Sequence, residues 1–502
     1  MRMLYHSTRS KKEMVGAKEA VLTGLCPDGG LFVSDDLFNV KPDMKALMDM
    51  EYEEIVYEIF RLLLTDYSDE ELKDCIAKAY KGKFVTEDLT PLTEIGDDYL
   101  LELYHGPTAA FKDLALCMLP QLMSKALKDE KVMILTATSG DTGKAALAGF
   151  KDAENIGITV FYPHGGVSDI QYLQMATAEG ANVNVAAVRG NFDDCQTGVK
   201  KIFAECSDEF REEKKISLSS ANSINVGRLV PQIIYYIEAY KQLAKRNVVS
   251  FGDPVDFVVP TGNFGDILAG YYAKVLGLPV GRLIVASNEN NVLTDFFANG
   301  VYNKKRPFVK TISPSMDILV SSNLERMLYY AADGDCDYVA GLMKDLSEKG
   351  SFEITDEVMA KLDETFDAAY ADNEECKAAI RDAYQKDGRL IDPHTACGYL
   401  VANRMEQDEE ECGELGNPVV ILSTASPFKF AKDVYEAIFG ELTTDDGHEP
   451  DGFDYMHALA ERTGHEVPAS LAELKTKPIL HKSVVDVDDM EDFVEDSLKV
   501  LA

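Results

Sequence analysis

The 502-residue sequence is short of positive charge: 50 Lys and Arg stand against 86 Asp and Glu, which gives a formal net charge of −36. This acidity disfavours binding to the phosphate backbone of nucleic acids or to anionic membranes. It does not exclude a small anionic ligand, because the field inside a pocket is separate from the net charge. No apolar run approaches the ~18 residues that a transmembrane helix needs. We therefore expect neither nucleic acid nor membrane among the partners, and the sequence identifies no protein partner.

Disulfide and export signals are also missing. The nine cysteines are scattered without a Cys-x-x-Cys pair, which is typical of reduced thiols rather than of a disulfide framework. The N-terminal residues lack the apolar core of a signal peptide. No repeat or metal-ligand cluster stands out, and we expect no bound metal. With 46% hydrophobic residues, the chain is expected to form a sizeable core and to be a soluble, cytoplasmic protein.

Short, continuous apolar runs predict a parallel β-sheet fold. Strands that are buried on both faces have this pattern, whereas half-exposed strands alternate. Most runs lead into a loop rich in Gly, Ser, Thr or Asn, and ligands in such folds bind at the carboxyl ends of the strands. The runs lie at 131–135, 158–162, 183–188, 255–259, 283–286 and 419–422.

Other segments favour helices or loops. Between Glu53 and Leu64 the apolar residues recur at helical spacing. The acidic stretch 406–414 predicts a solvated loop, and 442–453 has the composition of a surface linker.

One lysine, Lys112, is embedded in apolar sequence, in the segment H-G-P-T-A-A-F-K-D at 105–113. Apolar surroundings disfavour the charged amine, so they lower its pKa and make it a usable nucleophile or base. Taken alone, the segment favours the ordinary alternative, a helix lysine whose amine reaches solvent.

Two Gly-rich turns that follow predicted strands are candidate anion sites. They are T-A-T-S-G-D-T-G-K at 136–144 and P-T-G-N-F-G-D at 260–266. Each stands where a helix would begin, and the exposed N–H groups of a helix N-terminus favour a carboxylate or a phosphate. Either turn alone could be a simple cap, but two in one chain favour anion binding. The first turn matches neither the dinucleotide fingerprint nor the phosphate loop that ends in G-K-[ST].

Two further segments offer polar side chains near strand ends. Asn222, Ser223 and Arg228 bring together an amide, a hydroxyl and a bidentate cation, which suits a carboxylate or a phosphate; a helix-surface arginine is an equal alternative. Thr424 has a hydroxyl that could bond a ring nitrogen, although local backbone bonding is its usual role. A buried lysine, two anion turns and this hydroxyl together suggest pyridoxal phosphate as the cofactor.

The motifs of the chain closely resemble those of the threonine synthases, fold-type II pyridoxal-phosphate enzymes of the tryptophan-synthase-β class. The matches run over nearly the full length. Besides the segments quoted above, they are G-L-C-P-D-G-G-L-F-V at 24–33, Y-P-H-G-G-V-S-D-I-Q at 162–171, G-N-F-D-D-C-Q at 190–196, S-N-E-N-N at 287–291, S-P-S-M-D-I-L-V-S-S-N-L-E-R at 313–326, D-P-H-T-A at 392–396 and T-A-S-P-F-K-F at 424–430.

The resemblance implies a role for each candidate residue. Lys112 would be the catalytic residue and would also carry pyridoxal phosphate. The other cofactor-binding residues would be Asp141 beside the ring, Thr424 facing the pyridine nitrogen, and Gly262, Asn263, Phe264, Gly265 and Asp266 around the phosphate. The substrate would contact Ser139, Gly140 and Thr142 with its carboxylate, and Asn222, Ser223 and Arg228 with its phosphate.

The implied reaction converts O-phospho-L-homoserine and water into L-threonine and phosphate, by γ-elimination followed by β-addition of water. That is the reaction of a carbon–oxygen lyase acting on phosphates, in threonine biosynthesis. A related fold-type II lyase, such as a serine or threonine dehydratase, is the alternative; it needs no second phosphate clamp. A catalytically silent phospho-amino-acid binding protein is disfavoured because Lys112 is kept.

The resemblance also implies an α/β architecture with two open, mostly parallel twisted sheets and flanking helices around the cofactor cleft. We expect a helical N-terminal domain at 1–95 and a large cofactor-binding domain at 96–125 and 251–440. A small mobile domain would occupy 126–250, and a C-terminal extension, 441–502, would pack back on the body.

Several positions depart from the expected pattern. Ser426 stands where many relatives carry His, and Lys144 stands where a small residue is commoner; we expect Lys144 to point to solvent. Asp141 replaces the Asn of other fold-type II enzymes, and a carboxylate beside the cofactor's phenolate oxygen needs a shared proton or a displacement. His105, Asp113 and His394 are expected to act through packing and hydrogen bonding.

Overall fold

The computed structural model describes residues 2–128, 130–138, 140–412, 416–444 and 447–501. Its strands are β1 (Tyr5–Ser7), β2 (Ser10–Val15), β3 (Phe32–Val33), β4 (Leu92–Ile95), β5 (Asp98–Glu102), β6 (Lys131–Ala137), β7 (Ile156–Pro163), β8 (Val183–Val188), β9 (Ile216–Ser219), β10 (Val255–Pro260), β11 (Val280–Ser287), β12 (Val301–Asn303), β13 (Ser351–Glu353), β14 (Phe366–Tyr370), β15 (Val419–Ser423) and β16 (Ser483–Val485). The six apolar runs therefore form β6, β7, β8, β10, β11 and β15, as predicted.

The helices, in chain order, are α1 (Ala17–Thr23), α2 (Met44–Leu47), α3 (Tyr52–Leu63), α4 (Asp69–Tyr80), α5 (Lys112–Leu116), α6 (Leu119–Ala126), α7 (Asp141–Phe150), α8 (Asp169–Ala176), α9 (Phe192–Glu213), α10 (Val226–Leu229), α11 (Ile233–Lys245), α12 (Gly265–Leu276), α13 (Val292–Asn299), α14 (Leu324–Ala331), α15 (Cys336–Glu348), α16 (Asp356–Asp363), α17 (Asn373–Asp387), α18 (Pro393–Cys412), α19 (Ala431–Phe439), α20 (Gly452–Thr463), α21 (Ala469–Ala472) and α22 (Met490–Ser497). None of the helices in these described ranges is long and apolar enough to cross a membrane.

Two open sheets form the body of the molecule. The larger has the order β14-β11-β10-β15-β5-β4 and is parallel except for β4, which runs antiparallel to β5. The smaller has the order β16-β8-β7-β6-β9 and is parallel throughout. Every residue of β7 and of β10 is buried, which is why these strands read as unbroken apolar runs. The α/β class with two open, mostly parallel sheets is confirmed.

The N-terminal part combines helices with a small sheet. The helix predicted between Glu53 and Leu64 is α3, which begins with a capping box of Glu51 and Glu54. In addition, β2, β1 and β3 form an antiparallel three-stranded sheet. At the other end of the chain, β16 joins the edge of the smaller sheet, and Met490 and Val494 of α22 share a core cluster with residues of α9. The domain boundaries given above stay a prediction.

Two sequence expectations differ from the structure. The acidic stretch 406–414 does not form a loop, because α18 continues through it to Cys412; residues 413 and 414 lie outside the described ranges. Glu, Gln and Met are good helix formers, and in this segment their helix propensity outweighs the effect of the concentrated charge. The edge strand β14 was also missed, since only its first residue is buried and it has no continuous apolar run.

The strand order determines which loops meet. In the larger sheet β10, β15 and β5 are neighbours, so the loops that follow Pro260, Ser423 and Glu102 leave the same edge side by side. In the smaller sheet β6 and β9 are neighbours, so the turn after Ala137 and the segment after Ser219 are also adjacent. All the predicted anion turns and Lys112 follow these five strands, where ligands of α/β sheets bind.

Candidate active site

Lys112 is the first residue of α5, and its side chain is only 11% exposed. Burial lowers the pKa of its amine to about 8, with Asp141 opposing this shift and Lys429 and Arg228 adding to it. The Nζ atom lies 4.6 Å from the centre of the Phe111 ring. The solvent-directed helix lysine is therefore not what the structure shows, and an amine that is partly unprotonated at neutral pH is a usable nucleophile.

The turn that carries Lys112 is attached to the end of β15. The N–H of Phe111 donates to the carbonyl of Thr424 at 2.8 Å, and Ala110 pairs with Ala425 as an antiparallel bridge. The side chain of Thr424 is buried beside this bridge. The turn is also held from within, because the N–H and the hydroxyl of Thr108 both donate to the carboxylate of Asp113.

Asp141, at the start of α7, lies between two buried lysines. Its Oδ1 is 2.7 Å from Nζ of Lys429, and its Oδ2 is 4.0 Å from Nζ of Lys112. The hydroxyl of Ser315 donates to Oδ2 at 3.1 Å, and Nε2 of Gln171 donates to Oδ1 at 3.4 Å. Burial opposes ionisation, but the two lysines hold the pKa of this carboxyl well below its usual value. Asp141 is therefore a carboxylate with its own counter-ion.

The Gly-rich turn at 260–266 presents free backbone donors at the N-terminus of α12. None of the N–H groups of residues 262–265 donates to another described residue. Their carbonyls are held from behind, because the hydroxyl of Ser321 donates to Gly262 at 2.7 Å and the N–H of Asn323 donates to Asn263 at 3.0 Å. Phe264 adopts a left-handed conformation, with φ of 59°. Such a turn is suited to bind a phosphate.

A second polar segment lies against this turn. The amide of Asn323 donates to the carbonyl of Asn263 at 3.0 Å and to the hydroxyl of Ser223 at 3.3 Å. Arg228 is 3% exposed; its Nη1 donates to the carbonyl of Ala221 at 2.8 Å, and its buried Nε has no hydrogen-bond partner among the described residues. Burial lowers the pKa of Arg228 to about 10. A buried cation with an unused donor fits an anionic ligand.

Asp266 follows the Gly-rich turn but points elsewhere. The hydroxyls of Tyr235 and Tyr236 donate to its Oδ1, while its buried Oδ2 has no partner in the described part of the chain. Burial raises its pKa to about 6 against these hydrogen bonds.

A histidine supports the site from behind. The N–H of Ser315 donates to Nε2 of His394 at 3.2 Å, so the proton of this ring lies on Nδ1, which is 2.5 Å from the carboxylate of Asp392. The hydroxyl of the same Ser315 reaches Asp141. His394 therefore orients a residue that contacts the Asp141 carboxylate.

The structure thus brings most of the predicted residues to one place. Lys112 lies 4.0 Å from Asp141, the turn before Lys112 is bonded to Thr424, and Ser223 lies against the turn at 262–265. Gly140 is the N-cap of α7 with φ of 144°, a conformation suited to glycine, and Thr142 is half-buried in the first turn of this helix. Asn222 is exposed, and Ser139 lies outside the described residues.

Sequence reasoning missed four contributors and misjudged one. The missed residues are Lys429, Gln171, Ser315 and Asn323, which all lie in segments quoted for the resemblance. Lys429 had a usable signal, because it stands among apolar residues after a strand, as Lys112 does. Lys144 is half-buried instead of pointing to solvent, and burial lowers its pKa to about 8.

Comparison with known families agrees with this geometry. The family described as "Pyridoxal-phosphate dependent enzyme" matches residues 89–425, which is most of the chain. The families described as "Threonine synthase N terminus" and "Threonine synthase, C-terminal" match residues 4–80 and 395–494.

Individual proteins give the same result. The threonine synthase of Pseudomonas aeruginosa is 37% identical over 458 residues, covering 90% of this chain and 94% of that protein. Human threonine synthase-like 1 is 39% identical over 444 residues, which are 85% of this chain and 59% of the human protein; the chain thus spans about three-fifths of that relative. The crystal structure of threonine synthase from Brucella melitensis with bound pyridoxal phosphate has a TM-score of 0.84 and 35% identity, covering 99% of each chain.

The fold and the site therefore define a pyridoxal-phosphate-dependent enzyme. Within this class, the chain belongs to the threonine synthase family.

The residues present fit pyridoxal phosphate. Lys112 provides a buried amine of lowered pKa for the aldehyde, and the turn at 262–265 provides unpaired N–H donors for the phosphate. A side chain at Gly262 would place its Cβ 3.0 Å from the carbonyl oxygen of Ser315, which is tighter than an ordinary contact and favours glycine here. The neutral hydroxyl of Thr424 suits an unprotonated pyridine nitrogen.

Proposed function

We propose that this chain converts O-phospho-L-homoserine and water into L-threonine and phosphate, as a pyridoxal-phosphate-dependent carbon–oxygen lyase acting on phosphates. The observation that carries the proposal is the position of Asn323. Its amide bonds both the turn at 262–265 and Ser223, so two candidate anion sites lie side by side near one buried lysine. One site suits the phosphate of the cofactor, and the other suits the phosphate of the substrate.

Each group of residues has a proposed task in this reaction. Lys112 holds the cofactor, residues 262–265 bind its phosphate, and Thr424 faces its pyridine nitrogen. Gly140 and Thr142, with Ser139, bind the carboxylate of the substrate at the start of α7. Arg228, Ser223 and Asn222 bind the phosphate of the substrate.

The chain then has to move protons and stabilise the leaving group. Bound pyridoxal phosphate supplies an electron sink for the carbanions. Nζ of Lys112, free once the substrate binds, removes the proton from Cα and then one from Cβ, and the bond between Cγ and the phosphate oxygen breaks. Cγ then gains a proton and becomes the methyl group, water adds its oxygen at Cβ and gives its remaining proton to the phosphate, and Lys112 returns a proton to Cα at the end. Arg228 stabilises the departing phosphate through charge-assisted hydrogen bonds. A lysine with a pKa of about 8 is suited to both directions of transfer.

We also infer that residues 126–250 close over the substrate and exclude water before the elimination. Hydrogen exchange within 136–230 should slow when a substrate analogue is bound, and exchange that does not change would contradict closure. The eight cysteines whose side chains the structure describes are free, which supports the cytoplasm as the site of action.

A substrate panel tests the proposal against the dehydratase alternative. The protein loaded with pyridoxal phosphate should release phosphate from O-phospho-L-homoserine and form an equal amount of threonine. L-Threonine and L-serine should give no 2-oxo acid under the same conditions. A protein that produces 2-oxo acid and ammonia from these hydroxy amino acids, and leaves the phosphate ester intact, would be a dehydratase instead.

A further inference from the structure

Asp141 is shared unequally between two amines. Lys429 lies 2.7 Å from one carboxylate oxygen, whereas Lys112 lies 4.0 Å from the other. The side chain of Lys429 is 0% exposed, and in the described part of the chain Asp141 is the partner of its only ion pair. Because the Lys429 amine is buried, solvent does not compete with Asp141 for its charge.

The position of Lys429 is determined by the same strand end that holds Lys112. Lys429 belongs to the short 3₁₀ turn Pro427–Phe430, which Ser426 caps by accepting from the N–H of Phe428. The N–H of Ser426 in turn donates to the carbonyl of Ala109, in the turn before Lys112. The two lysines are therefore fixed relative to each other by the backbone.

We propose that Lys429 is a positioning residue: it binds the Asp141 carboxylate and thereby leaves the Lys112 amine without a close counter-ion. The proposal rests on the function proposed above, in which Lys112 is the reactive amine. From the sequence, a carboxylate at position 141 is expected to need a shared proton beside the phenolate oxygen of the cofactor. With Lys429 as its counter-ion, Asp141 needs no shared proton.

The consequence for Lys112 has a definite sign. The charged groups near enough to shift the pKa of its amine are Asp141, Lys429, Arg228 and Asp266. Without Lys429, the amine loses a repelling cation and gains the full attraction of Asp141, and both changes raise its pKa. Without the Asp141 carboxylate, the attraction is lost and the pKa of Lys112 falls. Removing Lys429 and removing the Asp141 carboxylate should therefore shift the pKa of Lys112 in opposite directions.

The test measures Lys112 directly and needs neither cofactor nor substrate. The cofactor-free protein is acetylated with acetic anhydride over a series of pH values, and mass spectrometry gives the rate for the peptide that contains Lys112. In Lys429→Met the midpoint should move up by about one pH unit, which lowers the unprotonated fraction at neutral pH about tenfold. In Asp141→Asn the midpoint should move down, and Lys429→Arg should stay near the wild type.

Matched variants keep the proposal open to refutation. The double variant Lys429→Met with Asp141→Asn leaves neither member of this ion pair without its partner, and its midpoint should lie between those of the two single variants. A midpoint that is unchanged or lower in Lys429→Met overturns the proposal. If circular dichroism shows that Lys429→Met does not fold, Asp141→Asn decides the question. A midpoint that does not fall in Asp141→Asn also overturns the proposal. A wild type that releases no phosphate from O-phospho-L-homoserine would refute the proposed function and leave these midpoints unaffected.

Discussion

The N–H of Phe111 donates a hydrogen bond to the carbonyl of Thr424 at 2.8 Å, joining the start of α5 to the end of β15. Lys112 and the hydroxyl of Thr424 are thereby carried by two adjoining segments of one rigid frame. Functional groups on such a frame are preorganised, so exchanging one of them should change activity more than stability.

Arg228→Met should weaken the use of the phosphate ester. Arg228 is buried and its Nε has no hydrogen-bond partner in the described part of the chain. We therefore expect its loss to weaken substrate binding more than it lowers the free energy of unfolding. Hydrogen bonds to charged groups contribute roughly 1.5–3 kcal/mol, so kcat/KM for O-phospho-L-homoserine should fall roughly 10- to 100-fold. Steady-state kinetics measures this fall, with Arg211→Met on the exposed face of α9 as the control. An unchanged kcat/KM would remove Arg228 from the substrate site.

Gly262→Ala should weaken binding of the cofactor. The added Cβ would lie 3.0 Å from the carbonyl oxygen of Ser315 and 3.3 Å from Cα of Met316, so the backbone on one side of this contact would have to shift. Overpacking of this kind costs about 1–3 kcal/mol, so the Kd for pyridoxal phosphate should rise about tenfold or more. The control is Gly341→Ala in α15, where a Cβ meets nothing within 4 Å. That variant should leave the Kd unchanged and gain about 0.5–1 kcal/mol of stability.

Asp266→Asn should change how stability depends on pH. Burial raises the pKa of Asp266 from 3.8 to about 6, so the folded protein binds this proton more tightly than the unfolded chain does. Binding of this proton therefore stabilises the folded protein fully below about pH 4, and the stabilisation is lost as the pH rises through about 6. Asn carries no such proton, so the variant should gain about 3 kcal/mol on the wild type between these limits.

Denaturant unfolding of the cofactor-free proteins across this pH range measures the gain. Asp208→Asn, at a largely exposed position of α9, reports the effect of losing one surface carboxylate. A constant difference in the free energy of unfolding between Asp266→Asn and the wild type would show that Asp266 does not titrate in this way.

Arg326→Met should destabilise the whole site. This fully buried arginine donates to the carbonyl of Phe32 in the N-terminal sheet, to the side chain of Asn323 and to the carbonyl of Ile224. Its loss leaves these three acceptors unpaired, which should cost at least about 3 kcal/mol in the free energy of unfolding. Arg61→Met, which removes an exposed ion pair with Glu58, should cost no more than about 1 kcal/mol. Equal losses in the two variants would contradict the structural role of Arg326.

Much of the fold could be predicted because its strands are buried on both faces. β8 has the bounds of its apolar run, 183–188, and the other five predicted strands exceed their runs by one to four residues. The edge strand β14 was not predicted because only its first residue is buried. The end of α18 was not predicted because its charges resemble those of a loop. The local pattern of apolar residues indicates which strands are buried, and it does not predict strands or helix ends that are only partly buried.

The residues of the candidate site were predictable where they carry a local sequence signal, whereas contacts between distant residues were not. Lys112, the Gly-rich turns and Arg228 carry local signals of apolar surroundings, glycine placement or an isolated cation. The pairing of Asp141 with Lys429 joins residues 288 positions apart, which only the fold brings together. The contact between Asn323 and Ser223 is of the same kind, because these residues are 100 positions apart. The sequence therefore indicates which groups are available, and the sheet order decides which of them meet.

The most direct test of the central claim compares Lys112 with a second lysine whose pKa is also lowered, Lys144. Lys112 and Lys144 both have pKa values lowered to about 8, but only Lys112 is assigned to the cofactor. After treatment with pyridoxal phosphate and removal of the excess, the visible absorbance of protein-bound cofactor is recorded for the wild type, Lys112→Ala and Lys144→Ala. The wild type and Lys144→Ala should keep the band, and Lys112→Ala should lose it. A band that persists in Lys112→Ala would contradict the account.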